Sequence, residues 1–259
     1  MMKLSAPAAA ALLLVGLTLP AFAQSEKGEK FVGTQADIRT VLHFKVADGA
    51  IKKLLPAGWE VDSPVSGPYS GVNFRVTFID RLLSRDPEGK PSNPLRYVVW
   101  AIPAKKTETG AQGTMIIGGF ASHPSGAPGA YGSYVKAEAN VERKTGTDAA
   151  EASTVEESWE FRGGDGDEIE FQIQYVRGVP TQSKAEAKVF SAIKPDFYRI
   201  YRLEQGVDML RGAGAPDRVQ KISFKASGAT LAAVFDGSEQ LISVTSIPWY
   251  TRSTYLPGS

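Results

Sequence analysis

The sequence contains no cysteine, which excludes a disulfide, a thiol nucleophile and any thiolate-bound metal. Histidine is almost as scarce: only His43 and His123 occur, and neither has a second ligand at the short spacing a metal site on one element would use. Charge of one sign is lacking too, with 29 Lys+Arg against 28 Asp+Glu. That balance removes the electrostatic ground for expecting nucleic acid or an anionic membrane as partner. After Leu19 no apolar run approaches the ~20 residues of a membrane span. No Gly-x-Gly-x-x-Gly joins a strand to a helix, no Gly-Lys-Ser/Thr follows a strand, and no Gly-x-Ser-x-Gly occurs. The expectation is a protein with no metal and no cofactor.

What is there begins with a leader. Met1-Met2-Lys3 precedes an apolar run from Ala6 to Leu19, and Ala21-Phe22-Ala23 supplies a small-residue cleavage site. This is the pattern of a secretory signal peptide cut after Ala23. The chain therefore reads as a signal peptide over 1–23, a flexible leader over 24–36 and a single β-rich domain over 37–259, secreted or periplasmic. A domain of this size can bury enough core without disulfides.

Period-2 alternation recurs through the domain. It predicts strands over 38–46, 69–80, 95–102 and 114–120, the last with a bulge or a close backbone approach at Gly118-Gly119. In the second of these Val72, Phe74, Val76 and Phe78 oppose Asn73, Arg75 and Thr77. Asp48 opens a short helix that Pro56 stops. Residues 154–161 and 168–177 flank an acidic, glycine-rich turn and read as a hairpin. Beyond it the pattern suggests a strand over 197–203, a short helix over 204–211 and strands over 219–226, 230–235 and 240–247. The fold class is mainly β (α+β): an antiparallel β-barrel or cone of about ten strands with two or three short helices, closure being the economical way to remove exposed edges.

The stretch from Gly126 to Lys144 organises the candidate chemistry. Its first half is a Gly- and Pro-rich turn; in its second half Tyr134, Lys136 and Glu138 share one face of a strand. Lysine is the one nucleophile type left once thiol and serine motifs are excluded, and an amine becomes reactive when burial or a neighbouring cation disfavours its charged form. Lys105-Lys106 stands before a polar turn and reads as two solvated charges. Lys136 is the better candidate. If its face lines a cavity it is a site; if it faces water it is an ordinary polar strand face.

Three segments carry a resemblance to a known family. They are Phe44-Lys45-Val46 with Ala50-Ile51-Lys52-Lys53-Leu54-Leu55-Pro56, the strand from Gly71 to Asp80, and Gly113-Thr114-Met115 on to Tyr131-Gly132-Ser133-Tyr134-Val135-Lys136-Ala137-Glu138. Over residues 38–142 the chain resembles a divergent, exported member of the acetoacetate decarboxylase-like superfamily. The resemblance implies a β-barrel or cone around a small, partly apolar cavity, and a lyase that forms a Schiff base between a lysine and a keto acid. Lys136 falls at the family's second lysine and Val135 at its nucleophile, or, with a one-residue deletion, Lys136 falls at the nucleophile without a cationic neighbour; Lys45 stands where the family has an arginine. Two functions follow: catalysis or keto-acid binding through Lys136, with Lys45, Arg75, Tyr134 and Glu138 as substrate-binding candidates, or a non-catalytic periplasmic barrel for a small organic acid or apolar molecule. The partner expected in either case is a small molecule, with oligomeric state left open.

Overall fold

The computed structural model describes residues 28–164, 166–229 and 231–258, so the signal peptide expected over 1–23 lies outside the described residues. Along the chain run β1 (Lys30–Lys45), α1 (Asp48–Leu54), β2 (Trp59–Val61), β3 (Phe74–Arg85), β4 (Pro91–Ser92), β5 (Leu95–Lys106) and β6 (Gln112–Ala121). A single turn of 3₁₀ helix (Pro124–Gly126) precedes β7 (Tyr134–Thr147), β8 (Ser153–Gly163) and β9 (Glu168–Val176). The chain then forms β10 (Thr181–Ser191), β11 (Tyr198–Arg211), β12 (Val219–Ser227) and β13 (Gln240–Leu256).

Pairing closes seven of these into a ring, in the order β1, β3, β5, β6, β10, β11, β13 and back to β1. Every seam of the ring is antiparallel except β6–β10, which is parallel and short: Thr114, Met115 and Ile116 face Val189, Phe190 and Ser191. The strand β7 leaves the ring through a brief parallel pairing with β6 and leads an outer layer, β7–β8–β9–β12, against the ring's flank.

Alternation decides what lies where. Leu42, Phe44, Phe74, Val76, Phe78, Val98, Trp100 and Ile102 point out of the ring and meet Trp159, Phe161, Ile169 and Phe171 of the outer layer. Phe78 stacks on Phe171 at 4.5 Å between centroids and tilts on Trp159 at 5.5 Å. The main apolar core is therefore outside the ring, and the intervening residues are left to face its interior. At the centre of that core sits Glu157, only 3 % exposed. Its carboxylate accepts hydrogen bonds from Thr40 Oγ1 (2.8 Å), Trp159 Nε1 (3.0 Å) and Tyr175 Oη (3.0 Å), and lies 3.2 Å from Arg143 Nη2.

Several expectations are corrected. Of the leader expected over 24–36, residues 30–36 are instead part of β1, which begins at Lys30 and pairs with the end of β13, and residues 24–27 lie outside the described residues. The helix expected over 204–211 is the second half of β11, held by ladders to β10 and β13 on either side. The strand expected over 230–235 is a turn across its described residues. The sheet has 13 strands rather than about ten, and among the described residues there is one α-helix rather than two or three short helices. At Gly118-Gly119 the structure shows the close approach, since a Cβ on Gly118 would lie 2.4 Å from the Trp100 indole nitrogen, whereas the bulge falls one residue earlier: Trp100 faces Gly118 and Ala101 faces Ile116, which leaves Ile117 unpaired with β5.

Candidate functional site

The ring encloses a cavity of about 760 Å³. Thr34, Arg85 and Ser125 are exposed where it meets solvent, whereas His43 and Thr245 are buried at the opposite end. Six arginines line it: Arg39, Arg75, Arg81, Arg85, Arg199 and Arg252. Among the described residues no lysine, aspartate or glutamate does.

Each arginine arrives on a strand whose other face is committed to the outer core. On β3, Arg75, Thr77, Ile79 and Arg81 alternate with Phe74, Val76 and Phe78. On β1, Arg39, Val41 and His43 alternate with Leu42 and Phe44. Toward the open end a hydrogen-bonded chain runs Arg252, Gln35, Asp37, Arg39. Arg252 Nη2 donates to Gln35 Oε1 (2.8 Å), Gln35 Nε2 donates to Asp37 Oδ2 (2.5 Å), and Arg39 Nε donates to Asp37 Oδ1 (2.5 Å). Asp37 is the one carboxylate paired with these six arginines, and its charge is taken by Arg39. The guanidinium of Arg39 lies 3.3 Å from the Tyr250 ring centroid and that of Arg252 3.8 Å from Tyr201, geometry in which an aromatic face steadies a cation. Arg81 donates to Tyr97 Oη (3.1 Å) and to the Asn93 carbonyl (2.9 Å), and both partners are neutral.

The closed end differs. Arg75 has no hydrogen-bond or ion-pair partner among the described residues, and its Nε is buried. Burial draws its pKa below the ordinary value, yet a guanidinium stays charged at neutral pH. His43 lies across the β1–β3 ladder from Arg75 and 4.6 Å from the Tyr69 ring. Burial first, and the Arg75 charge second, push its pKa down to about 3, so its imidazole is neutral.

The turn before β7 supplies the remaining wall. Gly129 and Gly132 hold φ of +69° and +73°, left-handed values that a side chain would strain, and they fold the chain so that Tyr131 and Tyr134 enter the ring. Tyr131 and Tyr201 share a short hydroxyl–hydroxyl bond. Burial first and Tyr201 next raise the pKa of both Tyr131 and Tyr134, keeping them neutral phenols able to donate.

Of the residues singled out in the sequence, Arg75 and Tyr134 line the cavity. The other three do not. Lys136 and Glu138 are exposed on β7, because β6 ends at Ala121, opposite Lys136, and from there β7 follows β8 away from the ring. Alternation put Tyr134, Lys136 and Glu138 on one face, as expected, but only Tyr134 is still within the ring. Lys45 is half exposed and salt-bridged to Asp48 Oδ1 at 2.5 Å. Its pairing and position take it out of the cavity wall. His123 is exposed beside Ser125, away from His43 in the closed end. Arg39, Arg81, Arg199 and Arg252 were not singled out; Arg39 and Arg81 share the odd positions of their strands with Arg75, while Arg252 stands between polar Thr251 and Ser253 and carries no such signal.

Chemically, the cavity can attract, orient and desolvate an anion through charge-assisted hydrogen bonds. Among the described residues none that lines it is a lysine. Neither a protein-family model nor a curated protein matches the chain. Solved structures do match. The enduracididine biosynthesis enzyme MppR with HEPES buffer bound aligns over 88% of this chain and 86% of its own, with TM-score 0.55 and 9% identity. The same enzyme complexed with pyruvate aligns over 98% and 97%, with TM-score 0.51 and 10% identity. An acetoacetate decarboxylase-like enzyme from Sphingomonas wittichii RW1 aligns over 88% and 91%, with TM-score 0.51 and 11% identity. At such identities the likeness is one of architecture, and it shows that this chain has the acetoacetate decarboxylase-like fold.

Proposed function

We propose that this protein binds a small organic acid within the ring, without covalent attachment. The observation that carries the reading is Arg75: a guanidinium lining a cavity, with no partner in the described chain, in a wall that holds no lysine. An ion removed from water without a counter-charge is costly, so a site built this way favours a ligand that supplies the negative charge. A pocket of this volume that combines apolar side chains with a few placed polar groups suits a small molecule. The fold relative MppR has been solved with pyruvate, which is itself a small organic acid. Imine chemistry through Lys136 has no such support, since that amine stands on the outer layer. The leader over 1–23 supports action outside the cytoplasm, and the N-terminal mass of protein recovered from the envelope or medium checks it.

Calorimetric titration of the mature chain with a panel of small mono-, keto- and dicarboxylates tests the reading. At least one is expected to bind, with Arg75→Ala weakening it about tenfold or more, the worth of a charge-assisted hydrogen bond. Lys136→Ala should leave affinity within about twofold, and borohydride should trap nothing at Lys136. A borohydride adduct on that residue would overturn the non-covalent reading.

A further inference from the structure

Guanidinium groups stand toward both ends of the cavity, and much of the wall between them is apolar, where Arg39 is already paired with Asp37. At the closed end stands Arg75 beside neutral His43. Toward the open end stand Arg81 and Arg252, whose hydrogen-bond partners are neutral: Tyr97 and the Asn93 carbonyl for one, Gln35 for the other. Arg75 and Arg81 are on the same face of one strand, six residues apart, or about 20 Å between Cα atoms, of which two arginine side chains reaching into the cavity can cover about half. The wall between is a belt of Val41, Ile79, Val99, Ile116, Leu203 and Ile247.

We propose that the ligand is a linear dicarboxylate that spans the cavity, one carboxylate on Arg75 and the other on Arg81 and Arg252, with its methylene chain against the apolar belt. This rests on the reading of the cavity as an organic-acid site and narrows it. A short acid can answer only one end, leaving the guanidinium at the other partly desolvated and unpaired. A compact polyanion that reaches one group of guanidinium donors leaves the other unanswered, with apolar side chains between. A monocarboxylate with a long tail fills the belt but presents a methyl group to the second cation. Only a chain with an acid at each end meets all three zones.

Titration of the mature chain with suberate, octanoate and succinate under one buffer decides the matter. Suberate carries both charges and the spacer, octanoate lacks the second charge, and succinate lacks the spacer. Suberate is expected to bind about tenfold or more tightly than either. Arg75→Leu should erase the advantage of suberate over octanoate, and Arg75→Lys should restore much of it. Should Arg75→Leu fail to fold, Arg252→Gln serves as the second probe, and the wild-type comparison stands by itself. Octanoate or succinate binding as tightly as suberate overturns the two-ended ligand while the organic-acid site survives. If none of these acids nor any of the wider panel binds, both readings fall together.

Discussion

His43 shows how much one residue's surroundings can decide. Its ring is buried at the closed end among Tyr69, Thr245 and Arg75, and each of these is neutral or positive. The unfolded chain protonates this histidine near pH 6.5, whereas the folded one resists until about 3. Between those values the unfolded state binds the extra proton, so the stability held by neutral His43 is complete above about 6.5 and lost as pH falls toward 3. At ~1.4 kcal/mol per pH unit the loss amounts to a few kcal/mol at most. Carboxylates titrate over the same window, so the difference between wild type and His43→Phe isolates the effect. Urea unfolding at pH 7 and pH 4.5 should show the wild type losing roughly 1–3 kcal/mol more than the variant. Equal losses would mean that the imidazole protonates freely in the folded protein. At this scale the sequence was partly legible. Alternation marked Arg75 as facing away from Phe74 and Val76, and it does. The same rule could not show that Lys136, two positions beyond Tyr134, stands past the edge of the ring, because alternation reports a face and not what the face meets.

Among the elements, the β6–β10 seam is where the ring is most easily opened. It is the only parallel pairing within the ring and joins just three residue pairs. Gly113 at its margin approaches Lys188 so closely that a Cβ would stand 2.5 Å from the carbonyl oxygen, which is backbone and cannot swing aside. Gly113→Ala is therefore expected to cost about 1–3 kcal/mol and to weaken ligand binding as well, since Thr114 and Ile116 line the cavity from the same strand. Thermal melts and titration with a bound acid read both, and an unchanged melt would show that the seam has slack. Glu157 makes the opposite kind of joint, tying β1 of the ring to β8 and β9 of the outer layer. Glu157→Ala strands three donors and Arg143, and a loss of about 3–5 kcal/mol in urea unfolding is expected. A loss under 1 kcal/mol would mean that water enters and satisfies them. Elements were legible in proportion to their contrast. In β9, Ile169, Phe171 and Ile173 against Glu168, Glu170 and Gln172 could hardly be misread. The strand β10 escaped notice because Gln182, Ser183, Lys184, Ala185, Glu186 and Ala187 offer no apolar face to recognise. The second half of β11, expected as a helix, lacks a strict alternation around Gly206, and the ladders to β10 and β13 make it a strand.

For the whole molecule, a formal net charge of +1 conceals a segregated charge distribution. Acidic residues lie outside the cavity, where Arg162 and Lys225 meet Glu160, Glu168 and Glu170, while Arg75, Arg81, Arg85, Arg199 and Arg252 share the interior without a carboxylate partner among the described residues. Composition could not reveal this, because Arg39 and Arg252 are separated by most of the chain and meet only when β13 pairs with β1. Polar inner faces had looked like ordinary solvent-facing strand faces. The segregation has a thermodynamic consequence: mutual repulsion inside the ring disfavours the empty folded state, and any anion that binds there relieves it. Binding to the folded state alone adds about 2.7 kcal/mol at a ligand concentration one hundred times its dissociation constant. For a chain of this size that raises the melting temperature by roughly 5–10 °C. Scans of the mature protein in a saturating dicarboxylate should show such a rise, against a much smaller one in sodium chloride matched for ionic strength. Arg75→Ala should shrink the dicarboxylate effect and leave the chloride effect alone. If chloride stabilises as well as the acid does, the arginines are screened as a diffuse cloud of charge and the cavity makes no choice among anions.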